Sequence, residues 1–291
     1  MLTLFTDTDT DFNLEDAARY GYKLISMPYC VEGRNIYPYV DFKEFDSHAF
    51  YDMLRSGTIP TTSAISEQNY IDYFEPEFAA GNDILYVHFS AAMTMTFGVM
   101  QGALDKLKEK YPERKFYSID TKGITIISYL IVREFGDLVK KGLSADALLE
   151  WAEKEVDNYS QFFFADDLKF FRKSGRVSGL AATMGGLIGL RPIICMNDAG
   201  KMVSIGTEKG RVKAMDKLMA YVDEYGDDIK NHRLIVGHTD APALAEQFAA
   251  MLKAKYGEDL DIEFVVTNPT AGSHCGPNGV GVAFHSKHRW K

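Results

Sequence analysis

The stretch from Asp83 to Leu107 reads DILYVHFSAAMTMTFGVMQGALDKL, and the change of period within it decides the fold. Its first half is short and almost wholly apolar up to Ser90, the pattern of a strand buried on both faces of a parallel sheet. Phe97, Met100, Leu104 and Leu107 then recur at helical spacing, which predicts a helix starting near Thr94 or Met95. In open α/β sheets, ligands bind at the carboxyl ends of strands, where the next helix offers free N–H groups and the positive end of its dipole to an anion. Ser90, Thr94 and Thr96 put hydroxyls at such an end. No phosphate-cradling glycine run and no GK[ST] is present, so the anion indicated is small. The same residues also serve structure alone, with Ser90 ending the strand and Thr94 capping the helix.

The first half alternates strands and helices. Leu2 to Thr6 reads as a strand running into Asp7, Thr8, Asp9, Thr10 and Asp11, with a helix from Asn13 to Tyr20 capped by Asp11 or Asn13. Lys23 to Val31 reads as a second strand, and Phe45, Ala49, Phe50, Met53 and Leu54 mark a helix that stops at Gly57. Ile59 to Ser66 is a hydroxyl-rich loop, whose side chains either meet a ligand or satisfy their own backbone. Ser66 is the natural cap for a helix from Glu67 to about Ala79. A strand at Lys115 to Ile119 and helices over Ile124 to Val139 and Ser144 to Gln161 follow. Repeated β then α units predict a parallel sheet covered on both faces.

After Tyr159 strand-like pieces come in pairs, Phe162 to Ala165 with Phe170 to Phe171, and Pro192 to Met196 with Met202 to Gly206. Helices over Val177 to Leu187, Gly210 to Tyr225 and Pro242 to Tyr256 would cover one face of a mixed sheet, completed by strands at Leu234 to Gly237, Ile262 to Val266 and Gly279 to Phe284. The fold class expected is α/β in two domains, a parallel-sheet sandwich over 1–158 and a mixed-sheet domain over 159–291. With no repeat or linker between them, they should touch directly, and clefts between domains are common ligand sites.

Composition narrows the function. At 291 residues, with 46% hydrophobic and 25% charged side chains, the chain is an ordinary globular one. Its net charge of −9 disfavours nucleic acid or an anionic membrane as the main partner. No apolar run approaches the ~20 residues of a bilayer span and no basic region opens a signal peptide, so a cytoplasmic location is expected. Cys30, Cys195 and Cys275 are far apart and form no CxxC, so neither a disulfide framework nor a zinc site is indicated. Two features of the second half could carry chemistry. KFFRKSGRVS, Lys169 to Ser178, gathers Arg172, Lys173 and Arg176 around Gly175, either for an anion or acidic partner or as a solvated turn. SHCGPNG, Ser273 to Gly279, reads as a tight turn bearing His274, a structural histidine or a functional one. The 19 phenylalanines and 12 methionines suffice to line an acyl-sized cavity or to fill a core.

The sequence resembles the DegV family. The likeness runs through Thr6-Asp7-Thr8 with Asp11, Ile59-Pro60-Thr61-Thr62-Ser63, the strand ending at Ser90 with Thr94 and Thr96, Phe164-Ala165-Asp166-Asp167-Leu168 to Gly175-Arg176-Val177-Ser178, Arg191-Pro192-Ile193-Ile194, and His274-Cys275-Gly276-Pro277. The resemblance implies a long-chain fatty acid enclosed between the two domains, no cofactor, and a carboxylate held by Thr62, Ser63 and Ser90 with His274 nearby. Arg176 matches the arginine of the family's glycine-arginine turn, and its role stays open between orienting the site and contacting a partner. It further implies a carrier, not a catalyst, that presents the acid to a separate fatty acid kinase for acyl-phosphate formation and phospholipid synthesis. The sequence departs from the family pattern at Ala91, where a second serine is common, and at Met95, where glycine is. Both changes bear on the acyl preference and leave room for another small anionic ligand. The competing class is a serine esterase or thioesterase using Ser90 and His274, against which stands the lack of a G-x-S-x-G elbow.

Overall fold

The computed structural model describes residues 1–178 and 189–291. The chain opens with β1 (Leu2–Asp7) and α1 (Leu14–Tyr20), the latter capped by Asn13, whose side chain accepts from the Asp16 amide. β2 (Tyr22–Ile25) pairs parallel to β1. The single strand expected from Lys23 to Val31 is broken. The amides of Ser26 and Met27 donate to Tyr73 Oη and Thr8 Oγ1, and Pro28 has none to offer a ladder. β3 (Tyr29–Val31) and β4 (Arg34–Ile36) therefore leave the first sheet. After α2 (Ser47–Arg55), β5 (Thr61–Thr62) joins them in a small antiparallel sheet. α3 (Glu67–Ala79) starts on a reciprocal cap between Ser66 and Asn69. β6 (Asp83–His88), a 3-10 turn at Ala91–Met93 and α4 (Thr96–Lys110) follow. β7 (Phe116–Asp120), α5 (Ile126–Lys140) and α6 (Ala145–Glu155) complete the first half, whose four strands lie parallel in the order β2-β1-β6-β7.

The helix expected to reach Gln161 stops at Glu155, because the aromatic run that follows forms β8 (Tyr159–Phe164). Phe170 and Phe171, expected as a strand, lie in α7 (Lys169–Ser174), which ends on Gly175 at φ 64°. A helical turn sends these neighbours into different clusters, Phe170 beside Tyr29 and Phe50 and Phe171 into the main core. Val177–Ser178 is a short strand, β9, where a helix is expected, and the rest of that helix lies outside the described residues. β10 (Leu190–Met196) and β11 (Met202–Lys209) form the predicted hairpin. α8 (Arg211–Tyr225), β12 (Leu234–His238), α9 (Pro242–Tyr256), β13 (Ile262–Val266), α10 (Pro269–Cys275) and β14 (Val280–His285) follow. The second sheet runs β13-β12-β14-β8-β10-β11-β9 and is mixed, with β12 parallel to β13 and β9 parallel to β11. The fold is thus α/β, with one parallel and one mixed sheet.

α8 and α9 cover one face of the mixed sheet through Leu218 and Phe248. The other face receives α5, so a single core runs from Phe5 and Leu85 through Ile127 and Leu130 to Ile235 and Ala283. That approach requires bare backbone. A Cβ on Gly237 would sit 2.4 Å from Ile126 Cγ2. A second tie is Arg289, whose side chain is fully buried and donates to the carbonyls of Lys122 (2.5 Å), Val156 (2.6 Å), Tyr159 (3.1 Å) and Thr121 (3.2 Å). No helix among the described residues is long and apolar enough to cross a membrane.

Candidate functional site

The carboxyl ends of β1, β6 and β7 face β8, β12 and the segment from β13 to β14, and between them lies a cavity of about 250 Å³. Its wall is mainly apolar, with Met27, Phe89, Ile126, Phe163 and Met202. Ser63, Met95 and Arg176 line it and are exposed, so this end opens to the surface.

His274 sits at the mouth in the last turn of α10, not on the tight turn expected from the sequence. Asn268 caps that helix, Pro269 occupies its first position and Gly276 ends it at φ 71°. The helix sets His274 against β5, where Nε2 lies 2.9 Å from Thr62 Oγ1. Nδ1 is buried and has no partner among the described residues. Burial and the nearby Arg176 charge push the His274 pKa down to about 4, so the imidazole is neutral. Thr94 lines the same end, its Oγ1 accepting from the Thr96 amide at 3.1 Å. The structure thus brings Thr62, Ser63, Thr94, Arg176 and His274 together around one opening.

Ser90 is placed differently. It is fully buried, is not part of the cavity lining, and its Oγ donates to the Gly200 carbonyl at 2.7 Å. It fastens the turn after β6 to the β10–β11 hairpin. The esterase alternative needs Ser90 hydrogen-bonded to His274. Instead, the serine is committed to Gly200 and His274 Nε2 faces Thr62.

The inner wall is lined by Asp9, Thr125 and Gln161, to which the sequence assigned no site role, and Asp7 and Asp11 flank Asp9 in the chain without lining the cavity. Asp7 accepts from Tyr86 Oη (2.9 Å) and from the amides of Asp9 and Phe89. Asp11 does not cap α1, because its Oδ1 accepts from the Asn268 amide (2.8 Å) and side chain (2.7 Å). Asp9 lines the cavity, is 6% exposed, and its Oδ1 has no partner among the described residues. Burial pushes Asp7 and Asp11 up to about 7, and drives Asp9 well above the usual carboxylate range, with its two acidic neighbours adding to the effect. The alternation Thr-Asp-Thr-Asp-Thr-Asp at a strand end was the available signal. Thr125 and Gln161 also line this wall and carried none.

Comparisons with known proteins agree over the whole length. A family model described as an uncharacterised protein family, DegV, matches residues 1–287. A DegV domain-containing protein of Clostridium perfringens is 30% identical over 242 residues, covering 83% of this chain and 82% of the relative. A fatty acid (stearic acid)-binding protein from Eubacterium ventriosum superposes with a TM-score of 0.87 at 20% identity, covering 99% of each chain. A DegV family protein from Eubacterium eligens loaded with heptadecanoic acid gives 0.83 at 19% identity, covering 99% of this chain and 100% of that one. At these identities the superpositions establish the fold.

Proposed function

This chain belongs to the DegV family, and we propose that it binds one long-chain fatty acid in the cavity, between lobes spanning 1–158 and 159–291. The observation that carries the reading is an apolar cavity whose exposed end is ringed by Thr62, Ser63, Thr94, His274 and Arg176. Solved relatives with the same fold hold stearic or heptadecanoic acid, which supports the same ligand class here.

Each buried methylene contributes about 0.8 kcal/mol, so the chain supplies affinity and the polar end orients the acid. Hydroxyls of Thr62 and Ser63 would donate to the carboxylate. In the tautomer whose Nε2 donates to Thr62 Oγ1, His274 fixes that hydroxyl and leaves its proton free for the carboxylate. Ser90 would support the turn from behind. A carboxylate held by neutral donors keeps more charge on its oxygens than one in a bidentate arginine pair, which suits attack on a phosphoryl donor. On this reading the chain is a cytoplasmic carrier. A separate kinase transfers a phosphoryl group from a nucleoside triphosphate to the bound acid, releasing the diphosphate, and exposed Arg172, Lys173 and Arg176 beside the opening offer that partner a basic surface.

Mass spectrometry of the purified protein, native and then denaturing, tests the binding. One fatty acid released per chain is expected, and an empty protein, or one holding a nucleotide or sugar phosphate, would overturn it. The presenting role predicts that His274→Ala retains the lipid and slows acyl-phosphate formation by the partner kinase. Unchanged turnover would remove His274 from the transfer.

A further inference from the structure

We propose that the cavity selects a long-chain acid bearing a hydroxyl along its chain, and that Asp9 is the residue that meets this hydroxyl. The inference rests on the fatty-acid reading above and narrows its substrate class.

Asp9 is an unlikely residue for the wall of a plain acyl cavity. Its Oδ1 is buried and unpartnered among the described residues, as is Asp11 Oδ2, whereas Asp7 accepts from Tyr86 and Phe89; of the three, Asp9 is the one that lines the cavity. A methylene chain drawn past Asp9 would leave that oxygen unsatisfied, and burying a polar group without a partner is costly. Because burial keeps the carboxyl protonated, it presents one O–H and one carbonyl oxygen. A hydroxyl, itself donor and acceptor, is the small neutral group that satisfies both.

The backbone around Asp9 is built to hold it there. Its carbonyl accepts from the Thr125 amide at 2.8 Å, and Thr125 adopts φ 57°, ψ −129°, a conformation that β-branched residues rarely occupy. The Thr125 Oγ1 takes only a long contact, 3.4 Å, from Gln161 Nε2, whose Oε1 accepts from the Ile127 amide. Asp9, Thr125 and Gln161 thus form a polar strip on the buried wall, carried by elements other than those of Thr62 and His274. An acid with a hydroxyl on its chain would engage both polar regions of the cavity.

The test is displacement of a fluorescent fatty acid from delipidated protein by stearic, 10-hydroxystearic and 12-hydroxystearic acids. At least one hydroxy acid should bind the wild type about tenfold more tightly than stearic acid. Asp9→Leu should abolish that preference while stearic acid still binds, and Asp9→Asn should retain part of it. Stearic acid bound as tightly as both hydroxy acids, or a preference that survives Asp9→Leu, overturns the proposal and leaves the fatty-acid reading intact. Failure of all three acids to bind overturns both. If Asp9→Leu does not fold, Asp9→Asn carries the test, and a hydroxy-acid preference undiminished in it overturns the assignment to Asp9.

Discussion

At the mouth of the cavity, burial pushes a histidine down to about 4; on its inner wall, burial drives Asp9 well above the usual carboxylate range. The two regions use opposite chemistry and reach the same state, because desolvation acts against charge and not against acid or base. They differ in what surrounds that state. The mouth is made of a two-residue strand, the end of a short helix and exposed side chains, whereas the inner wall is strand ends and the start of α5 pressed onto Gly237. The mouth can therefore adjust to a head group, while the wall keeps its shape and its dryness.

The sharpest way to break this contrast is Ile126→Ala. Removing a buried side chain packed on Gly237 should cost about 2–5 kcal/mol in denaturant unfolding. At the mouth, Thr62→Val removes one half-buried hydrogen bond and should cost about 1 kcal/mol. Equal losses would erase the distinction between rigid wall and adjustable mouth.

Linkage to pH separates acid from base by the sign of a slope. Folded Asp11 keeps its proton up to about 7, whereas the unfolded chain releases it near 3.8, so folding takes up a proton between these values. The stability this contributes is full below 3.8 and is lost as pH rises through 7. Asp11→Asn, whose amide oxygen can still accept from Asn268, should flatten that decline by up to about 1.4 kcal/mol per pH unit. His274 has the opposite sign. Its stability is present above 6.5 and lost as pH falls towards 4, so His274→Gln should become relatively more stable on acidification. Unfolding curves across both windows check the two slopes, and slopes of the same sign would mean that burial is not the common cause. The smallest effect belongs to Met95, 83% exposed at the opening, where Met95→Ala should leave stability within about 0.5 kcal/mol in the same unfolding assay.

What could be read from the sequence followed from local periodicity. The strand at Asp83 and the helices of α3 and α9 announce themselves by apolar spacing and caps, because each of those signals is contained within its own segment. Two local signals were available and misread. Asn268-Pro269 is a cap followed by a first-turn proline, which marks α10 and so places His274 on a helix, and the alternating aspartates foreshadow the acidic inner wall. Other features were not local at all. Ser90 looks like a ligand hydroxyl until Gly200, 110 positions later, claims it. Gln161 looked like the end of a helix because residues 144–155 carry a helical pattern and only sheet pairing with Ala283 assigns it to a strand. No window around Thr125 shows that Asp9 will hold its amide.

Arg289 has a consequence for biosynthesis. The carbonyl of Thr121 waits for a donor 168 positions later, and at about 5–20 residues per second a ribosome needs roughly ten to thirty seconds to cover that distance. Until then the junction of the two halves carries unmet carbonyls and cannot reach its final strength. A nascent chain would hold its first sheet early and complete this junction only after Arg289 has left the exit tunnel, so the cavity between the halves takes its final form after both have been made.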